Sequence, residues 1–92
     1  MKELTAFYLT NCPYCINAKV ALAELCAEKP EYSGIQIDWI EESLEPGRTM
    51  GYDYYYVPTF FLGKDKLYEA KPGQSYEEIK ELVKGCLEKA LD

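Results

Sequence analysis

The sequence predicts one α/β domain whose four-stranded mixed sheet is flanked by helices, in the order β-α-β-(α)-β-β-α. Its length of 92 residues suits a single domain that spans residues 1–92. Near the N-terminus two apolar runs enclose one helical stretch, which is typical of parallel strands joined by a right-handed crossover. Further along, two short apolar runs separated by a polar turn predict an antiparallel hairpin in the same sheet.

The first half of the chain predicts a strand, a helix and a second strand. Residues 4–9, LTAFYL, mix aromatic and aliphatic side chains and predict a buried strand. A helix is predicted from Pro13 to about Glu28, because proline suits the first helical turn, where a backbone N–H has no partner. Residues 34–40, GIQIDWI, alternate in hydrophobicity and predict the second strand. The apolar face of the helix comprises Cys15, Ala18, Leu22, Leu25 and Cys26.

The second half predicts a hairpin and a closing helix. Residues 41–53 contain a Pro-Gly pair and predict a short helix or a loop. Residues 59–62, TFFL, and residues 67–70 predict two strands on either side of the turn GKDK. Ser75, followed three residues later by Glu78, predicts a capping box at the start of the last helix. The apolar stripe of that helix comprises Ile79, Leu82, Val83, Cys86, Leu87 and Ala90.

Composition excludes several classes of function. The chain carries 16 acidic and 10 basic residues, for a net charge of −6, so it repels nucleic acids and anionic membrane surfaces. It contains no histidine, which excludes Ser-His and Cys-His catalysis and histidine-ligated zinc. No apolar run has the length or flanks of a signal peptide or a membrane span. We therefore expect a cytoplasmic protein, in which closely spaced cysteines are catalytic or metal-binding more often than structural.

A pair of closely spaced cysteines, in the stretch TNCPYCIN, lies where the first strand gives way to the first helix. Cys12 falls at the N-cap of the helix, where free N–H groups and the helix dipole stabilise a thiolate and make it a nucleophile. Cys15 falls at the third helical position, on the apolar face, and should be more buried. We therefore expect Cys12 to attack a substrate disulfide and Cys15 to resolve the mixed disulfide. Pro13 and Tyr14 stiffen and shape the short loop between the two thiols.

A second motif, VPTF at residues 57–60, precedes the third predicted strand. A proline at the start of a strand is a candidate cis peptide, so we expect Pro58 to be cis and to turn the backbone of Val57 toward the thiols. The N–H and C=O groups of Val57 could then pair with an extended substrate. The tyrosine-rich run 52–56 just before it is either a packing segment or an aromatic wall that contacts substrate.

Together, CPYC after the first strand, VPTF about forty residues later and a hairpin leading to a last helix resemble the glutaredoxin branch of the thioredoxin-like superfamily. The resemblance covers nearly the whole chain and implies a thiol–disulfide oxidoreductase. It implies that Cys12 is the nucleophile, Cys15 the resolving thiol, Pro58 the cis-proline and Val57 the substrate-backbone contact. Its substrates would be disulfide-containing proteins or small disulfides, with glutathione or a reductase as the electron donor.

One region departs from the glutaredoxin pattern. Glutaredoxins usually follow the hairpin with two glycines and an aspartate that hold the glutamyl end of glutathione, whereas this chain has Gly73, Gln74 and Ser75. Many also carry a lysine shortly before the first cysteine, where this chain has Thr10 and Asn11. We therefore expect weak glutathione binding at these positions and no resident cofactor, with glutathione at most a co-substrate.

An alternative reading is a binding module of the same fold that holds an iron–sulfur cluster or zinc through its cysteines. The stiff Pro13 argues against it, because relatives that bridge a cluster tend to have smaller residues in this loop. Cys26 and Cys86 lie on apolar helix stripes, where a cysteine behaves as a small hydrophobe, so we expect both to be core residues. We expect the protein to act as a monomer.

Overall fold

The computed structural model describes residues 2–92 and confirms the predicted fold class. The main elements are β1 Leu4–Tyr8, α1 Pro13–Glu28, β2 Ile37–Glu41, β3 Thr59–Leu62, β4 Asp65–Glu69 and α2 Tyr76–Leu91. The sheet has the strand order β2-β1-β3-β4, with β1 and β2 parallel and the other neighbouring pairs antiparallel. This is the mixed sheet that a crossover followed by a hairpin predicts.

The two helices pack against each other and against one face of the sheet, where the main core lies. Five of the six residues predicted for the stripe of α2 are buried, and the exception is Leu82, which is 38% exposed. Leu82 lies at the margin of the stripe, so the helix turns it toward solvent. Across residues 2–92, neither helix has the length and apolar character needed to cross a lipid bilayer.

The opposite face of the sheet is covered by aromatic side chains rather than by an α-helix. Phe7, Ile40 and Phe61 form a second buried cluster, against which Tyr52 and Tyr54 pack. The two tyrosine rings lie 4.9 Å from the ring of Phe7, one edge-on and one stacked. Residues 41–53, for which the sequence predicts a short helix or a loop, contain a single 3₁₀ turn at Pro46–Thr49, because the Pro-Gly pair prevents a longer helix. A further 3₁₀ turn spans Pro30–Gly34.

The hairpin is tighter than its sequence suggests. Strand β4 begins at Asp65 instead of residue 67, so the turn has two residues, and Gly63 supplies a positive φ of 62°. The pairing shifts between Phe60 and Phe61, which lie opposite Tyr68 and Lys66 respectively. This bulge makes one residue of β4 extra and leaves the side chain of Tyr68 in the main core beside Phe60.

Candidate active site

The first cysteine caps helix α1. Cys12 has an extended backbone conformation, and its sulfur accepts a hydrogen bond from the backbone N–H of Cys15 at 3.3 Å. Pro13 occupies the first helical position, and the first turn of α1 contains no acidic residue. The half-buried sulfur of Cys12 therefore lies at the positive end of the helix, as predicted from the spacing.

The two sequence motifs meet at this sulfur. The Cys12 thiol donates a hydrogen bond to the carbonyl oxygen of Val57, with 3.6 Å between sulfur and oxygen. The peptide bond between Val57 and Pro58 is cis, as expected, and Pro58 is buried while Val57 is half-buried. The chain thus brings residues 45 positions apart into one contact.

The second cysteine lies beneath the first. Cys15 is 1% exposed, and burial raises its pKa to about 12, with a further contribution from its interaction with Cys12. At neutral pH it is a thiol, whereas Cys12 is accessible to a reagent from solvent. The pair therefore has the asymmetry that the spacing on the helix predicts.

The predicted glutathione-binding positions lie close to this pair but use their polar groups internally. The backbone N–H of Gly73 donates to the hydroxyl of Tyr14 at 2.7 Å, which joins the loop before α2 to the first turn of α1. The side-chain oxygen of Gln74 accepts from the backbone N–H of Lys71 at 2.9 Å. The hydroxyl of Ser75 accepts from the N–H of Glu78 and completes the predicted capping box.

A pocket beside Cys12 contains residues that the sequence analysis missed. It has a volume of about 380 Å³ and is lined by Cys12, Thr10, Glu41 and Ser43 among others. Glu41 is 8% exposed and accepts hydrogen bonds from the backbone N–H and hydroxyl of both Ser43 and Thr10. These bonds, those of Ser43 foremost, lower the pKa of Glu41 to about 2. The position of Glu41 could have been inferred from the sequence, because the parallel strands β1 and β2 end at the same edge of the sheet.

The tyrosine-rich segment divides between two roles. Tyr52 and Tyr54 pack on the sheet, whereas Tyr55 and Tyr56 are 88% and 55% exposed beside Val57. The backbone N–H groups of Tyr55 and Tyr56 both donate to one carboxylate oxygen of Glu69 on β4. This carboxylate holds the exposed pair in a defined backbone conformation.

The remaining cysteines lie outside the site. Cys86 is 1% exposed, and burial raises its pKa to about 12, as a core position implies. Cys26 packs against the same core, as predicted, but it lies at the edge and is only half-buried. Within residues 2–92, no three cysteine, aspartate or glutamate side chains are grouped so that they could hold a metal ion.

Comparison with known proteins supports the fold rather than a particular family. No family model and no curated protein matches the chain. Among solved structures, it is similar to a malarial protein at 15% identity, with a TM-score of 0.58 and 98% and 97% of the two chains covered. It is also similar to thioredoxin 1 from the thermophilic eubacterium Thermosipho africanus TCF52B, at 17% identity, with a TM-score of 0.54 and 98% and 99% covered. The chain therefore has a thioredoxin-like fold, with its cysteine pair at the start of the first helix.

Proposed function

We propose that this protein is a thiol–disulfide oxidoreductase of the glutaredoxin- or thioredoxin-like type, with Cys12 as nucleophile and Cys15 as resolving thiol. One observation carries the proposal. The sulfur of Cys12 accepts the N–H of Cys15 at a helix N-terminus and contacts the carbonyl of Val57, while the buried Cys15 lies directly below. An accessible thiol above an inaccessible one is what a two-step exchange requires.

The exchange follows from this geometry. The thiolate of Cys12 attacks one sulfur of the substrate disulfide, the substrate S–S bond breaks, and the first substrate thiol leaves with a proton. Cys15 then loses its proton and attacks the sulfur of Cys12, which breaks the mixed disulfide and releases the second substrate thiol. Two electrons pass from the protein to the substrate, and the protein is left with a disulfide between Cys12 and Cys15.

We infer that the preferred substrates are disulfides in proteins. An extended substrate segment can pair with the backbone of Val57, as strands pair at an open edge. Tyr55 and Tyr56 lie exposed next to this position and offer apolar rings with polar tips to a larger partner. A protein partner can contact the backbone of Val57 and both exposed rings at once.

The charge near the site also disfavours glutathione, which is anionic. Glu41 borders the pocket beside Cys12, and the negative charge of Glu42 is among the influences that raise the pKa of Cys15. Within residues 2–92, neither carboxylate forms an ion pair with a lysine or arginine. We therefore propose a protein reductase rather than glutathione as the electron donor.

The division of labour between the thiols can be tested in a Cys26→Ser background, which removes the other half-buried thiol. With an aromatic disulfide reagent, Cys15→Ser should release one reagent thiolate and retain the other as a mixed disulfide on Cys12. Cys12→Ser should release none at neutral pH. Mass spectrometry locates the adduct, and adduct formation on Cys15 in the Cys12→Ser protein would reverse the assignment.

Purification without oxygen distinguishes this proposal from the binding-module alternative. Protein purified without oxygen that is colourless, free of metal and able to reduce a protein disulfide supports the oxidoreductase. A visible absorption band that disappears on substitution of Cys12 would instead identify a cluster-binding module.

A further inference from the structure

A second pocket lies beside the tyrosine-rich segment, and we call it the tyrosine pocket. It has a volume of about 330 Å³, and none of its lining residues in the described part of the chain is basic. A carboxylate among aromatic rings is a combination that binds ammonium and guanidinium groups, because the negative charge and the electron-rich ring faces both attract a cation. The lining residues are Glu42, Pro46, Thr49, Tyr52, Tyr54 and Tyr55.

The walls of the tyrosine pocket are held in place by contacts within the protein. The hydroxyl of Tyr54 donates a hydrogen bond to the carboxylate of Glu42 at 2.8 Å, and its ring stacks on Phe7. The ring of Tyr52 lies edge-on to Phe7. Because these contacts fix the carboxylate and two of the rings in advance, a ligand loses little binding energy to ordering them. Tyr55 is 88% exposed, which leaves most of its ring accessible to a ligand.

The carboxylate of the tyrosine pocket has no cationic partner. Glu42 forms no ion pair with a lysine or arginine in residues 2–92, whereas the nearby Glu45 pairs with Arg48. A cation–π contact already forms in the same segment, where the ammonium of Lys64 lies 3.6 Å from the ring centroid of Tyr52. Lys64 does not line the pocket, so it leaves the carboxylate of Glu42 to another cation.

Two stretches of chain join the tyrosine pocket to the surroundings of the reactive thiol. Tyr55 precedes Val57, whose carbonyl oxygen accepts the hydrogen bond of that thiol, by two residues, a span of at most about 7 Å. Glu42 lies between Glu41 and Ser43, which both border the pocket beside the thiol. A substrate segment that pairs with the backbone of Val57 can therefore place a long side chain in the tyrosine pocket.

We propose that the tyrosine pocket binds the side chain of a lysine or arginine in the protein substrate, a few residues from the cysteine under attack. The inference rests on the proposed function and adds a substrate class to it, namely disulfides in basic segments. The net charge of −6 favours the same partners, because it accelerates their encounter with the protein. The pocket contacts no reacting atom, so it changes how well the substrate is held and not which bonds break.

The test uses pairs of single-cysteine peptides, each joined through its sulfur to an aromatic thiol in a mixed disulfide. Within a pair, the residue two positions before the cysteine, or two positions after it, is either lysine or methionine, which is of similar length and uncharged. With excess reduced protein in the Cys26→Ser background, attack by Cys12 on the peptide sulfur releases the aromatic thiolate, whose absorbance gives the rate constant. In at least one pair the lysine peptide should react about fivefold faster, as expected for an exposed ion pair with a cation–π contact. High salt should reduce this ratio.

Substitutions in the pocket should change the ratio of the two rate constants, which is the readout because any change in thiol reactivity alters both rates alike. Glu42→Gln should bring the ratio close to one. Glu81→Gln is the matched control, because it removes an exposed carboxylate on α2 and changes the net charge equally, so it should keep the ratio. Tyr55→Leu should lower the ratio and Tyr55→Phe should keep it, because only phenylalanine retains an aromatic face.

The outcomes separate this inference from the proposed function. Equal rates for the lysine and methionine peptides in the parent protein would overturn the inference and leave the oxidoreductase intact. An unchanged ratio in Glu42→Gln, or an equal loss of the ratio in Glu81→Gln, would also overturn it, because the preference would then come from elsewhere on the surface. Failure of the parent protein to release thiolate from any of the peptides would instead refute the proposed function.

Discussion

At the N-terminus of α1 the capping side chain is the thiol of Cys12, whereas at the N-terminus of α2 it is the hydroxyl of Ser75. The first turn of α1 carries no acidic residue, but the first turn of α2 carries Glu77 and Glu78. Glu78 also reaches back to accept the backbone N–H of Ser75, at 3.1 Å. Both helices thus begin with a capping side chain and a positive dipole end, and only α2 offsets that dipole with carboxylates in its own first turn.

The difference separates a helix start that could stabilise a thiolate from one that is capped by its own hydroxyl and carboxylates. At α1 the dipole and the N–H of Cys15 remain available to a sulfur anion, which a substrate can reach. At α2 the N–H of Glu78 is bound by the hydroxyl of Ser75, and the preceding N–H of Gly73 is bound to Tyr14. An incoming carboxylate therefore finds fewer free donors at α2, and it finds two negative charges beside them.

The difference at the N-terminus of α2 should have its largest effect on turnover with glutathione. The missing aspartate removes a charge-assisted hydrogen bond worth roughly 1.5–3 kcal/mol, which weakens glutathione binding by about one to two orders of magnitude. We expect slow turnover with glutathione and glutathione reductase, and faster turnover with a thioredoxin reductase and a protein disulfide. Parallel assays with both electron donors measure the ratio, and efficient glutathione turnover at micromolar concentrations would contradict the expectation.

A substitution at the cap can sharpen this result. Ser75→Asp keeps a strong N-cap and adds a carboxylate that can pair with the glutamyl ammonium of glutathione, so the KM for glutathione should fall severalfold. Ser75→Asn is the matched control, because it caps equally well without adding charge. Equal KM values in the two variants would show that the distal pocket lacks more than the aspartate.

The arrangement of the two thiols at the start of α1 could be predicted from the sequence, because it depends only on neighbouring residues of one helix. The spacing of Cys12 and Cys15 places one thiol at the cap and the other on the buried face, and the structure has both there. Contacts made across the sheet were less accessible to prediction. The position of Glu41 in the pocket depends on two strands that end at the same edge of the sheet. The burial of Tyr68 depends on a β-bulge that the residue pattern does not predict.

Substitution of the two capping residues should change the free energy of unfolding differently, and this effect should be smaller than the effect on glutathione turnover. Ser75→Ala removes the capping hydroxyl of α2 and should lower the free energy of unfolding by about 1 kcal/mol, with protein-disulfide turnover retained. Cys12→Ser replaces the cap of α1 by a residue with stronger capping preference, so it should remove activity without loss of stability. Denaturant titration of both variants measures the contrast. A large loss of stability in Cys12→Ser would mean that the thiol also has a structural role.

The carboxylate of Glu41 should give the smallest effect, and one that depends on pH. It binds the backbone N–H of Thr10, so this donor next to α1 is not available to Cys12. Its pKa in the folded protein, about 2, lies below that of roughly 4.3 for an unfolded glutamate. The carboxylate therefore contributes its full stability above about pH 4.3, and that stability is lost as the pH falls toward 2.

Glu41→Gln should accordingly lower the melting temperature by a few degrees at neutral pH and flatten its decline between about pH 4.5 and 2. Glu45→Gln removes an exposed carboxylate of the same charge, which bonds only to Arg48, and controls for the change in net charge. Thermal unfolding followed at several pH values measures both variants. If Glu41→Gln keeps the acid sensitivity of the parent protein, other carboxylates are responsible for it. The strand end beside Cys12 would then owe its order to the hydroxyl and amide groups of Thr10 and Ser43 without the charge.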